Sequence, residues 1–249
     1  MTLFTPDIRL GLGVLVLVGL TALVLRSAQV RLGWAPSWAV LRGAVQLALV
    51  GLALRGVFQA PAFVAVALGV MLSIAVYTAA GRVKALPEAL PAVALACSSA
   101  AGATLAVIFG LGMLDLSARY LIALGGIVIG GTMTAATLTG RRISHGLHSD
   151  RDEIEGLLAL GATPRQATAR ICRRSVAEAM MPVIDQTRTT GLVTLPGAFI
   201  GALLGGADPS DAARFQLVVL AALINAQAIC GVIVAYRLGA PAQLPEDAG

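Results

Sequence analysis

Long apolar blocks separated by short polar gaps follow one another along almost the whole chain. Each block is about 20 residues long, the length that an α-helix needs to cross a hydrocarbon layer of about 30 Å. Proline, glycine, aspartate and arginine concentrate in the gaps, as is typical of loops. We therefore predict an all-α fold, a polytopic membrane helix bundle of about seven transmembrane helices. The predicted spans are Ile8–Leu25, Ser37–Leu54, Pro61–Ala79, Leu90–Phe109, Arg119–Leu138, Pro182–Leu204 and Ala213–Tyr236.

The blocks continue without a long polar linker, and this favours one transmembrane domain over residues 1–239. The remaining segment, 240–249, is short and rich in proline and acidic residues, so we expect a disordered tail. The first block lacks a preceding basic stretch and a small-residue cleavage site. We therefore predict that it is a retained helix rather than a signal peptide.

The composition supports a membrane protein and argues against several other classes. Hydrophobic residues make up 57% of the 249 residues and charged residues only 12%, whereas soluble domains carry roughly 25% charged residues. Aromatic residues amount to 4%, too few for the stacking platforms of single-strand nucleic-acid proteins. A soluble enzyme, a disordered chain and a nucleic-acid partner are therefore not expected. The three cysteines are far apart and show no metal-binding spacing, so any metal ligands stay unassigned.

The basic residues, which give the chain a net charge of +5, predict its orientation. Counted over alternate gaps, twelve Lys and Arg residues fall on one side and four on the other. Cytoplasmic loops carry the excess of basic residues, so the first side is predicted to be cytoplasmic. We expect a multi-pass protein of the cell membrane, the inner membrane of a bacterium, embedded in lipid. Its N-terminus would lie outside and its C-terminus in the cytoplasm.

One predicted cytoplasmic loop, residues 139–181, is longer and more polar than the others and has the signals of two helices. We predict a first helix that starts at Asp150 with Ser149 as its cap, and Gly161 as its stop. The sequence Thr163-Pro164-Arg165-Gln166 then predicts a second start, because Thr, Pro and Gln stand at the positions of a capping box. Ile154, Leu157 and Leu158 are spaced to form one apolar face of the first helix.

This loop resembles the cytoplasmic EAA loop of ABC-transporter permeases. The resemblance lies in the spacing of Glu155, Gly161 and Ile171, although Arg173 and Arg174 replace the usual Leu-Pro. Such a loop forms a rigid helical projection that fits a cleft of a soluble ATPase. An ordinary amphipathic connector helix is the alternative. The predicted ATPase-docking residues are Glu153, Glu155, Leu158, Gly161, Ala162, Thr163 and Pro164.

A wider resemblance covers mainly the second half of the chain. It rests on the segments 126–138, 182–197, 201–209 and 214–216, and more weakly on 42–47. Together these segments resemble the FetB-type permease family, which includes bacterial iron exporters and plant aluminium-tolerance proteins. Two positions differ from that pattern. Gly131 stands where Asn is expected, and Arg188 where Lys is common.

The resemblance implies a permease subunit, paired as a homodimer, that works with separate ABC ATPase subunits. ATP and Mg²⁺ would then bind to the partner, and this chain would carry no cofactor and no enzymatic activity. Its single lysine, Lys84, follows no glycine-rich phosphate loop, which agrees with that division. The resemblance suggests export of a metal ion such as iron, with a sugar-nucleotide or another small solute as the alternative. An ion-coupled secondary transporter that uses Asp185, or a membrane scaffold without transport, are further alternatives.

Polar and helix-breaking residues inside the spans suggest a translocation path. Charged side chains within a bilayer usually face water or the bundle interior, and a proline with a glycine frees backbone carbonyls. Orienting charges at the membrane rim and a packing kink are the alternatives. Asn225 and Gln227 are predicted to join helices, and His145 and His148 to be solvated. The predicted path residues are Arg42, Gln46, Asp185, Arg188, Thr194, Pro196 and Gly197.

Overall fold

A computed structural model of the chain describes residues 6–57 and 61–241, with side chains for 8–51 and 63–241. Within these ranges the secondary structure consists of helices, which confirms the all-α prediction. Of the predicted tail, residues 242–249 lie outside the described part of the chain. The helices are α1 Pro6–Ser27, α2 Ala35–Val57, α3 Pro61–Arg82, α4 Ala89–Gly110, α5 Ala118–Ser149, α6 Arg151–Ala159, α7 Pro164–Thr189, α8 Gly197–Leu204 and α9 Pro209–Leu238.

Five helical segments of the described residues are long and apolar enough to cross a membrane, and they match five of the predicted spans. The second predicted span corresponds to α2, whose side chains are described only to residue 51. The sixth predicted span, Pro182–Leu204, is not one helix. It divides into the end of α7, an irregular segment 190–196, and the short helix α8.

The chain forms two compact units, Met1–Gln59 and Ala60–Gly249. In the first unit, α1 and α2 pack against each other and are joined by a turn in which Gln29 and Gly33 have positive φ angles. The second unit contains α3 to α9. The single domain over 1–239 stays a prediction.

The second unit is built around α5 and α9, which lie side by side and run in the same direction. Near their starts, the rings of Tyr120 and Phe215 are 5.5 Å apart. Further along, the Cys230 thiol donates to the carbonyl of Thr132 at 3.3 Å. Helix α7 runs in the opposite direction, because Arg165 at its start contacts Tyr236 near the end of α9. The chain therefore returns across the unit between residues 164 and 208.

Small side chains line the contacts between these helices. Ala96, Ala136 and Ala226 are completely buried, and they belong to the two apolar clusters of the unit. In membranes, small residues at helix contacts let backbones approach closely. Among the polar residues, Asn225 donates from Nδ2 to Thr104 Oγ1 at 2.9 Å. This bond between α9 and α4 confirms the predicted joining role of Asn225.

Candidate functional site

The first part of the site is a projection at one end of the second unit, residues 150–164, which we call the knob. Helix α5 has 32 residues and so measures about 48 Å, longer than a bilayer core of about 30 Å.

The prediction that Ser149 caps a helix starting at Asp150 is wrong. Helix α5 continues to Ser149, because Ile143 and Leu147 extend its buried face, and Asp150 stands between α5 and α6.

The turn between α6 and α7 follows the predicted chemistry. Gly161 has a φ of +92°, which favours a residue without a side chain. Thr163 and Gln166 form the capping box, in which Thr163 N–H donates to Gln166 Oε1 at 2.8 Å and Gln166 N–H donates to Thr163 Oγ1 at 3.4 Å. Pro164 occupies the first turn of α7. The chain therefore turns from the end of α6 to the start of α7 within residues 160–163.

Helix α6 buries one side and exposes the other. Ile154 is 2% exposed, and Leu157 packs against the larger apolar cluster. Leu158, predicted on the same face, is 37% exposed and therefore lies at the solvent-exposed edge of that face. Leu158 and Leu160, which is 86% exposed, give the knob an apolar tip. Glu155, one turn before Leu158, is also exposed, and its carboxylate accepts from Arg151 Nε at 2.9 Å.

Ion pairs connect the knob to α7. Arg170 donates from Nη2 to Asp150 Oδ2 at 3.0 Å and to Glu153 Oε2 at 2.5 Å. Glu153, predicted to face the ATPase, is thus engaged within this chain. These side chains are partly solvated, and exposed ion pairs contribute little stability. The two pairs place the first turn of α6 against α7. The sequence prediction missed Arg170, since its partners lie 17 and 20 residues away.

A second ionic group connects α5 to α7. Glu178 accepts from Arg174 at 2.8 Å and also from Arg142. The hydrogen bond from Arg174, and then the charge of Arg142, hold the pKa of Glu178 below its usual value. The carboxylate therefore stays ionised and keeps both arginines oriented. Glu178 therefore joins α5 to α7, the two helices that flank the knob.

Helices α7 and α9 also meet at a groove near the knob. Arg165 Nη1 donates to the Tyr236 hydroxyl at 2.9 Å, and its guanidinium lies 4.3 Å from the centre of the Tyr236 ring. Cys172 lines the same groove, and burial raises the pKa of its thiol. These contacts fix the start of α7 against the end of α9.

The second part of the site is the interruption after α7. Helix α7 continues through Pro182 and ends at Thr189. The Thr189 carbonyl then accepts the N–H groups of Leu192, Val193 and Thr194 at 2.9 to 3.3 Å. The predicted break of the span is thus confirmed. Its geometry differs from the prediction in one respect, because Pro196 does not interrupt a helix but precedes the first residue of α8, Gly197.

The predicted charged pair lies at the end of α7. Arg188 Nη1 and Asp185 Oδ1 are 3.7 Å apart, and this contact confirms the pairing. Both side chains are well exposed in the described chain, 72% for Arg188 and 64% for Asp185. Arg42 and Gln46 are exposed on α2 in the first unit, and their meeting with Asp185 stays a prediction.

His148, which was predicted to be solvated, contacts its own helix. The imidazole Nδ1 of His148 lies 2.7 Å from the Ser144 carbonyl of its own helix. Across the described residues, no three His, Cys, Asp or Glu side chains are grouped to hold a metal.

The long apolar helices, packed through small residues and joined by a partly polar projection, define a polytopic helical membrane protein. A family model matches residues 9–240. The chain belongs to this family, UPF0014, which is described as an uncharacterised protein family.

Named relatives come from plants and bacteria. The UPF0014 membrane protein STAR2 of Oryza sativa subsp. japonica is 35% identical over 201 residues, which cover 80% of this chain and 70% of STAR2. Protein ALUMINUM SENSITIVE 3 of Arabidopsis thaliana is 30% identical over 224 residues, or 89% of this chain and 82% of that protein. The probable iron export permease protein FetB of Escherichia coli (strain K12) is 31% identical over 201 residues, or 80% and 78% of the two chains. No solved structure matches the chain.

Proposed function

We propose that this chain is the membrane-spanning permease subunit of an ATP-driven ABC transporter. The observation that carries the proposal is the knob, in which the short helix α6 presents an exposed apolar tip, turns sharply into the capped start of α7 and is paired with α7 through Arg170. A projection of this kind is suited to a cleft in a soluble ATPase. The name of the relative FetB, a probable iron export permease, supports the same function.

The knob also has a direct connection to the proposed path. Helix α7 begins at the knob and ends at the interruption, and its 26 residues correspond to about 39 Å at a rise of 1.5 Å per residue. A movement of the ATPase could therefore be passed along one helix to Asp185, Thr194 and Pro196. In this proposal ATP and Mg²⁺ bind to the ATPase, and two permease chains form a homodimer around the path. The cargo is a metal ion such as iron, carried out of the cell.

Charge reversal at the knob tests the docking. Glu155→Lys should reduce co-purification of the ATPase, because it inverts the charge beside the apolar tip. Asp211→Lys is a matched control, since Asp211 is also an exposed helix acid beside an arginine, in this case Arg214 at 3.7 Å. Asp211 lies at the start of α9, the opposite end of that unit from the knob. Equal recovery of the ATPase with wild type and Glu155→Lys, at equal permease levels, would contradict the docking surface.

The transport itself requires a reconstituted system. Proteoliposomes that contain both subunits should move iron in an ATP-dependent manner. The same vesicles without the ATPase should not. Movement that follows an ion gradient and ignores ATP would instead favour a secondary transporter.

A further inference from the structure

The groove between the start of α7 and the end of α9 combines a mostly apolar lining with exposed basic side chains. Its volume is about 370 Å³, within the range of about 300–1,000 Å³ that is typical of ligand pockets. Arg165, Arg173 and Tyr236 are exposed and supply polar groups. The apolar or small residues of the lining include Ala169, Cys172, Val176, Val232, Ala235 and Gly239. A lining of this kind fits a ligand that has both an apolar and a charged part.

The arginines of α7 fall into two groups on different sides of the helix. Arg170 and Arg174 are paired with carboxylates of this chain. Arg165 and Arg173 line the groove instead, and its described lining includes no carboxylate. Arg165 donates to the Tyr236 hydroxyl at 2.9 Å, and Arg173 donates to a carbonyl of its own helix at 3.3 Å. A guanidinium has five N–H donors, so most donors of both side chains remain available to an anionic group.

The groove lies where α9 is predicted to leave the bilayer. Helix α9 is long and apolar enough to cross a membrane, and the predicted span ends at Tyr236. The guanidinium of Arg165 lies 4.3 Å from the centre of the Tyr236 ring, so its charge is at the level of this boundary, where tyrosine and arginine side chains are typical. Val232, one turn earlier on α9, is 57% exposed. The apolar lining therefore continues from the interface towards the bilayer interior.

A phospholipid matches both parts of this lining. Basic pockets between membrane helices on the cytoplasmic side bind anionic lipid head groups, and the apolar residues offer a surface to an acyl chain. Free phosphate would contact only the arginines, and a zwitterionic lipid would bring a positive charge towards them. The two arginines and the lack of a carboxylate in the described lining thus favour an anionic head group.

We propose that the groove between α7 and α9 binds an anionic phospholipid. Its head group would be held by Arg165 and Arg173, and one acyl chain would follow Val176 and Val232 towards the bilayer interior. The bound lipid would join the start of α7 to the end of α9. This inference goes beyond the proposed function and does not depend on it, because it uses only the groove and the membrane location of the chain.

Thermal unfolding of the full chain in detergent, with lipid added, tests the site. Phosphatidylglycerol should raise the unfolding temperature, because a ligand that binds the folded state stabilises it. Phosphatidylcholine with the same acyl chains, and inorganic phosphate, should have much smaller effects, since each supplies only part of what the groove binds. The lipid concentration that gives half of the full shift measures the apparent affinity.

Variants of the lining separate this site from general attraction to a basic surface. Arg165→Gln combined with Arg173→Gln should lower the affinity for phosphatidylglycerol about 25-fold, since one arginine near anionic lipid corresponds to a factor of about five. Arg82→Gln combined with Arg141→Gln is the matched control. It removes the same charge from exposed arginines that are predicted to be cytoplasmic and do not line the groove. Ala169→Phe keeps both groove arginines but fills the apolar lining, so it should also weaken the response.

Each shift is measured against the same variant without lipid, so that a change in the variant's own stability does not affect the comparison. Equal phosphatidylglycerol affinity in the Arg165/Arg173 variant and in its control would overturn the site. Stabilisation by inorganic phosphate equal to that by phosphatidylglycerol would overturn it as well, because the ligand would then be a free anion.

Photo-crosslinking in the native membrane identifies what covers the groove. The full chain carries Val232→benzoylphenylalanine, and the products are identified by mass spectrometry after irradiation. A phospholipid adduct, reduced in the background of the Arg165/Arg173 variant, is the expected result. Adducts only to a second copy of the chain, to residues 1–59 or to another protein would overturn the proposal, because the groove would then be a protein contact.

Discussion

Gly131 shows how one residue reflects its packing. It is buried on α5, and a Cβ at this position would lie 2.7 Å from Leu223 Cδ2 and 3.4 Å from Gln227 Nε2 on α9. The family resemblance leads us to expect Asn here. In this chain the Leu223 side chain would have to move to admit any side chain at position 131. Side chains of α9 occupy the space that an asparagine side chain would need here.

The first prediction concerns this contact. Gly131→Asn should destabilise the protein by about 1–3 kcal/mol, because an overpacked core displaces its neighbours. Thermal unfolding in detergent measures the effect. Gly130→Asn is the control, since nothing lies within 4 Å of a Cβ at Gly130. The double variant Gly131→Asn with Leu223→Ala should recover part of the loss, and an unfolding temperature equal to wild type for Gly131→Asn alone would refute the packing explanation.

At the scale of elements, α6 and α7 act as one unit because Arg170 joins them. The hydrogen bonds to Asp150 and Glu153 come from a single guanidinium nitrogen, so they hold α6 near its first turn. The buried side chain of Ile154 packs the same helix against the larger apolar cluster. In the proposed transporter, this arrangement makes α6 a rigid extension of α7. Arg170 is thus a positioning residue.

The second prediction separates docking from coupling. In Arg170→Ala the knob keeps its tip but loses its ionic attachment, so the ATPase should still co-purify. Transport per ATP hydrolysed should fall several-fold, because the tip can move without moving α7. Arg173→Ala is the control, since Arg173 is exposed on the same helix and donates to the Ala169 carbonyl of its own backbone. If Arg170→Ala couples as well as Arg173→Ala does, then the attachment has no role in transport.

At the scale of the whole molecule, the directions of the helices in the second unit agree with the predicted alternation of spans. Helices α5 and α9 run in the same direction, and α7, which packs against both, runs in the opposite direction. The knob and the turn before α9, residues 205–208, therefore lie at opposite ends of the unit. Which end faces the cytoplasm is predicted from the charge count of twelve against four.

The third prediction tests this orientation by labelling from outside the cell. Asp152→Cys in the knob should be protected from an impermeant maleimide, and Ala207→Cys before α9 should react. Both positions are exposed. A cysteine at the neighbouring Asp150 or Asp208 would remove an existing contact, because Asp150 pairs with Arg170 and Asp208 accepts the N–H of Ser210 at 2.8 Å. Parallel samples carry Cys172→Ser to remove the half-buried thiol. Labelling of position 152 and not of position 207 would contradict the predicted orientation.

The sequence by itself determined the features that depend on neighbours along the chain. The length of an apolar block decides whether a helix can cross a bilayer, and so most spans were predicted correctly. The turn at Gly161 and the capping box of Thr163 and Gln166 were also predicted, because their interactions span three residues or fewer. The pairing of Asp185 with Arg188 is local in the same sense.

Only the tertiary structure decided the features that depend on residues far apart. The attachment of Arg170 to Asp150 exists because a turn folds α6 against α7. Helix α5 extends to Ser149 because other helices bury Ile143 and Leu147, which no local cap signal reveals. The buried Oε1 of Gln216, which has no hydrogen-bond partner among the described residues, is likewise visible only when α9 is packed. In each case, the energy comes from contacts and desolvation between distant segments, and local propensity does not contain that information.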